Sequence, residues 1–242
     1  MAFDPSSATG ALLLCRAAPE TVTAAARLLR EPFRCVAAGE GWTVLVPGTT
    51  PWADGGDPVE RVVTGWAGAL AVGGQWAVLA LWWDPGHSGF VLASGFRRPV
   101  AFEWLAGGTP VGEAEALHTF ALRLGLDPVL DVQALEELAR PDSDADARAR
   151  LIGLVAVLAR TGLALPRGLA PGVAPGVLWA VAARYEVVGS VWWAVPVRGA
   201  AVVLVVGGVP LLLVGLRRRR GSWVLGGGVL VASGVWGLRR TR

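Results

Sequence analysis

Lysine and asparagine are absent from all 242 residues, and isoleucine occurs once, at Ile152. Without lysine there is no phosphate-loop lysine and no Schiff-base nucleophile, which removes two large classes of enzyme. Alanine, glycine, valine and arginine abound instead, the codon bias expected of a GC-rich bacterial genome. Two cysteines, Cys15 and Cys35, are too few for a disulfide framework. Both lie in apolar strand-like runs, where a thiol behaves as a small hydrophobe, and reduced thiols suit a cytoplasmic domain. Two histidines complete a possible set of four zinc ligands, but Cys15, Cys35, His87 and His118 show no metal-ligand spacing. No cofactor and no metal is therefore expected.

Charge is what the C-terminus lacks in two places. Gly199 to Leu216 and Ser222 to Leu238 are uncharged and apolar, and they flank Arg217, Arg218, Arg219 and Arg220. A second basic group (Arg239, Arg240 and Arg242) closes the sequence. A helix of about 18 residues is about 27 Å long, near the thickness of a bilayer's hydrocarbon core. Eleven Val or Leu in the first run are worth about −3 to −6 kcal/mol on an insertion scale of about −0.3 to −0.6 each. Seven in the second give about −2 to −4 kcal/mol, against five glycines. The second run is marginal alone. Gly207 and Gly208 meeting Gly226, Gly227 and Gly228 would let the pair pack closely. The expectation is a two-helix transmembrane hairpin over residues 199–242. Trp192 and Trp193, just before Arg198, suit the headgroup region.

Net charge divides the same way. Residues 1–186 hold 14 Arg against 19 Asp and Glu, a balance of −5, whereas residues 187–242 hold 8 Arg and no acid. The basic character belongs to the tail, so nucleic-acid binding by the N-terminal part has no electrostatic basis. The positive-inside rule does not choose an orientation, since arginines near the helix ends number five on one side and four on the other. The N-terminus shows no secretory-signal pattern, with Asp4 early and Ala11 to Cys15 too short for an h-region. The expected placement is the inner membrane, with two spans and both the N-terminal domain and the C-terminus cytoplasmic. A re-entrant hairpin with all arginines on the cytoplasmic face is the alternative.

Periodicity organises the remainder. Strands are predicted at Leu12–Cys15, Phe33–Val36, Trp42–Val46, Gln75–Trp83, Gly89–Ser94 and Val100–Leu105, with helices at Glu20–Glu31 and Pro58–Leu70. In the Gln75–Trp83 run, Trp76, Val78, Ala80 and Trp82 point one way and Ala77, Leu79, Leu81 and Trp83 the other, so both faces of this strand should be covered. The order βαββαβββ implies an α/β (α+β) sandwich, a mainly antiparallel sheet with packed helices, over residues 1–106. A helical extension follows over 107–165, its last helix predicted over Asp144–Leu163 with Ser143 as its cap. Residues 166–198, with Pro166, Pro171 and Pro175, read as a linker and membrane-interface segment.

Chemistry-bearing residues are sparse. Asp84, His87 and Ser88 share one turn, where adjacent side chains seldom converge, and Ser88 has no nucleophile elbow. Glu115 and His118 have Glu-x-x-His spacing, but a di-iron bundle needs that motif twice. Arg97 and Arg98, with Phe96 and Trp104 nearby in sequence, form the one basic patch of the N-terminal part and suit an anionic ligand or lipid headgroups. The sequence supports a membrane-anchored cytoplasmic binding or assembly module with the lipid bilayer and a protein as partners. The alternative is a membrane-tethered enzyme using Asp84, His87 or Glu103 at the sheet end.

Overall fold

A computed structural model describes residues 8–53, 55–142 and 144–185, all within one compact unit. The predicted hairpin at 199–242 and the interface residues Trp192, Trp193, Arg198, Arg217, Arg218, Arg219, Arg220, Arg239 and Arg240 lie outside them. The elements are β1 (Gly10–Cys15), α1 (Pro19–Ala26), β2 (Phe33–Ala37), β3 (Thr43–Pro47), α2 (Val59–Gly74), β4 (Ala77–Trp83), β5 (His87–Ser94) and β6 (Val100–Leu105), followed by β7 (Pro110–Val111), α3 (Ala114–Leu124), α4 (Leu130–Leu138), α5 (Ala147–Leu158) and α6 (Pro175–Ala182).

The seven strands form one antiparallel sheet in the order β2-β3-β1-β4-β5-β6-β7. This is the α/β arrangement that alternation predicts, with the order βαββαβββ through β6. The centre is β1 beside β4, paired from Gly10↔Trp83 to Cys15↔Val78. Burial on both faces explains why these strands carry almost no polar side chain.

Side chains one residue apart feed two separate cores. Leu13, Cys15, Cys35, Leu45, Val78, Ala80 and Trp82 pack under α1 and α2, against Val63, Trp66, Ala67 and Leu70. Phe33 and Trp66 meet edge to face, with ring centroids 5.1 Å apart. On the opposite face, Leu12, Leu14, Val44, Leu79, Leu81, Phe90 and Trp104 pack under the helices from α3 onward. Phe120 of α3 lies 4.6 Å from Phe90, ring to ring, and the Trp104 indole donates to Leu138 O at 2.8 Å. Residues 107–165 thus supply the layer that covers the second face. From 166 the chain runs to α6, which packs beside β2 and β3, with Trp179 stacked on the Arg34 guanidinium at 4.3 Å.

Several boundaries differ from the sequence reading for physical reasons. α5 begins at Ala147, later than the Asp144 start that the sequence suggested, because Asp146 is the residue whose side chain accepts from the Ala149 N–H, at 2.7 Å, while the predicted cap Ser143 lies outside the described residues. α1 ends at Ala26 and tightens into a 3-10 turn over Arg27–Leu29, closed by Arg30 at φ 58°. α2 runs past Leu70 to Gly74, since Ala71 still packs on the core. β7 is two residues long, too short to register as a period. Among the described residues no helix is long and apolar enough to cross a membrane.

Candidate functional site

A polar cleft of about 830 Å³ opens among the described residues. Four separate pieces of chain build it: Arg16 after β1, Glu40 in the β2–β3 turn, the α3–α4 connection from Gly125 to Asp131, and the turn after α5 from Ala159 to Gly162. What brings the β2–β3 turn to the end of α5 is Gly39. At φ 96° it forms a bridge with Leu163, and a Cβ there would stand 2.0 Å from Gly162 O. Glu40 N then donates to Gly162 O at 3.0 Å, and Ala164 N to Ala38 O at 2.7 Å. Backbone this close admits only glycine.

The charged walls are held before any ligand arrives. Arg16 Nη1 donates to Leu124 O at 2.5 Å, and its guanidinium carbon sits 5.9 Å from the Trp42 ring centroid. The Trp42 indole N–H is itself bound to Thr161 O at 3.1 Å. Asp131 is buried; its Oδ1 accepts from Arg160 Nη1 at 2.6 Å and its Oδ2 from Asp127 N at 2.8 Å. Asp127 Oδ1 accepts from Leu130 N and Val129 N, both at 2.8 Å, which starts α4 and holds the Asp127 carboxyl below its ordinary range. The Thr161 hydroxyl donates to Leu158 O at 2.7 Å, closing the turn after α5. The cleft therefore offers fixed hydrogen-bonding and charged groups of both signs, with Arg16, Arg160, Glu40 and Asp127 at its mouth.

The sheet-end residues singled out by sequence are partly brought together. Asp84 Oδ1 accepts from Gly86 N at 2.7 Å and His87 N at 2.8 Å, tying the turn. His87 Nδ1 is 3.6 Å from Asp84 Oδ1, and His87 Nε2 is 4.0 Å from Glu103 Oε1. Burial pushes the Glu103 carboxyl up; His87 opposes that, while Glu60 and Asp84 add to it. Ser88 points to the other face, buried, and donates to Ala147 O at 2.8 Å. It is a structural tie between β5 and α5, not a member of the cluster.

Other candidates separate. His118 pairs with Glu136 at 3.5 Å, joining α3 to α4. Among the described residues no three His, Cys, Asp or Glu stand where they would hold a metal ion. Cys15 and Cys35 are buried on one face of the sheet and form no disulfide. Arg97 and Arg98 sit exposed in the β5–β6 turn beside Phe96, whereas Trp104 is fully buried near the far end of β6, paired with Ser88. Phe96 is the aromatic residue that shares the turn with that basic pair. The cleft was missed in the sequence because its charged residues span Arg16 to Arg160 with no short motif. The Asp127-Pro128 dipeptide, a turn-forming pair, is the local signal that could have pointed to part of it.

No family model, no curated protein and no solved structure matches this chain.

Proposed function

We propose that the chain is a membrane-anchored binding or assembly module of the inner membrane. In this reading the described domain lies on the cytoplasmic side, a C-terminal two-helix hairpin over residues 199–242 holds it there, and the cleft receives a charged segment of a partner protein. One observation carries the binding role: Arg16, Arg160, Asp127 and Asp131 of the cleft are fixed by internal bonds, so receiving a ligand costs little further ordering of these groups. The apolar runs and their arginines support the anchor.

A photo-crosslinker at Glu40 in cells should trap a specific partner, and Arg16→Glu with Arg160→Glu should abolish the adduct while the protein remains folded and membrane-bound. An adduct unchanged by the double substitution refutes the assignment of the cleft.

A second reading rests on the His87 geometry. An imidazole 4.0 Å from a carboxyl that burial pushes up is an arrangement an enzyme at the sheet end would draw on for proton transfer once substrate closes the gap. Under that reading His87→Ala abolishes the cellular phenotype of the intact protein. A wild-type phenotype in His87→Ala counts against it.

A further inference from the structure

We propose that the β5–β6 turn is a membrane-contacting tip, with Phe96 entering the acyl region of an anionic bilayer while Arg97, Arg98 and Arg123 engage headgroup phosphates. The hairpin pairs through Leu92↔Val100 and then projects beyond the sheet as Gly95-Phe96-Arg97-Arg98-Pro99. Gly95 at φ 55° and the Arg97 N–H bonded to Ser94 O at 3.2 Å close the turn. Phe96 is 92% exposed, the most exposed large apolar side chain among the described residues. Neither the Arg97 nor the Arg98 guanidinium has a hydrogen bond or ion pair among the described residues. A third cation braces the tip from α3, where Arg123 Nη1 donates to Arg98 O at 2.7 Å.

The acids facing this group are Glu113 and Glu115, which share a groove of about 420 Å³ with Arg98 and Arg123. They belong to the start of α3. Two helical turns, about 12 Å, separate Glu115 from Arg123, so the tip end itself carries only positive charge. An apolar ring flanked by uncommitted arginines on a convex turn suits a soft anionic surface. The cytoplasmic leaflet supplies the anionic lipid and attracts juxtamembrane arginines. The placement beside that leaflet rests on the anchor proposed above, while the tip's own chemistry does not.

The test uses the full chain with Phe96→Cys carrying a nitroxide. Cys15 and Cys35 are buried, and the unsubstituted chain serves as the control for background labelling. The protein is placed in vesicles of phosphatidylcholine alone or with phosphatidylglycerol. In anionic vesicles the label should be accessible to oxygen and shielded from an aqueous nickel chelate, and in neutral vesicles it should be open to the chelate. Adding R97E and R98E should return the anionic sample to the neutral pattern, because each arginine near a charged surface is worth about a fivefold change in partition. A label open to the chelate in anionic vesicles, on protein that resists carbonate extraction, overturns the tip and leaves the anchor intact. Protein that fails to associate with anionic vesicles overturns both. Shielding that is equal in neutral lipid, or survives R97E and R98E, also overturns the tip, since headgroup charge then plays no part.

Discussion

Cys15 shows how a residue's surroundings decide its chemistry. Burial, reinforced by the neighbouring Cys35, pushes its thiol well above the ordinary 9.0, so almost no thiolate exists at neutral pH. An aromatic disulfide reagent should leave both cysteines unmodified in the folded protein and react with two thiols per chain in denaturant. Asp131 is the counterpart among charged residues. It accepts from both Arg160 and the Asp127 backbone, and Asp131→Ala should lower stability by about 2 kcal/mol, read as a shifted urea midpoint at constant slope. Glu103 carries a pH signature. Its folded value lies above the ordinary 4.5, so in that window the native state binds more protons than the unfolded one and stability falls as pH rises. Glu103→Gln should therefore gain on the wild type progressively above pH 4.5, in urea titrations run across that range. Asp127 works in the opposite sense: its lowered value gives stability that is present above 3.8 and lost as pH falls through the folded value.

At the level of elements, the turn between β2 and β3 decides whether the cleft exists. Gly39→Ala would place a methyl 2.0 Å from Gly162 O and force an L side chain into φ 96°. The expected cost is about 1–3 kcal/mol, with faster hydrogen exchange at Glu40 and Ala164, whose N–H groups bridge to the α5 end. The central strands were legible because they alternate between two filled cores, as in Ala77–Trp83. Boundaries were less so. Ser143, Asp144 and Asp146 are all competent caps, and local sequence does not rank them; the packing of Ala147 and Leu151 on the sheet selects Asp146. Grouping Arg97 with Trp104 failed for a related reason. A strand places residues seven apart more than 20 Å from each other, and alternation sends Trp104 inward.

For the whole molecule, the division of charge yields the clearest expectation. Residues 1–186 carry −5, and the apolar runs with their arginines lie beyond. The full-length chain should sediment with membranes, resist carbonate and dissolve only in detergent, whereas a chain ending before Gly199 should remain in the supernatant. Protease protection should find both termini on the cytoplasmic side. Full-length protein that stays monodisperse in a detergent-free supernatant would refute the anchor.

Sequence alone determined the succession of strands and helices through β6, the two-faced burial of the central strand, the reduced cysteines and the segregation of charge, because each is a local regularity of hydrophobicity or composition. Tertiary structure alone decided which charged residues meet. Arg16, Glu40, Asp131 and Arg160 become neighbours only when Gly39 lets one turn touch another and the helices from α3 onward close over the sheet. Such convergence depends on where chain ends of different elements arrive in space, and a one-dimensional period carries no record of that.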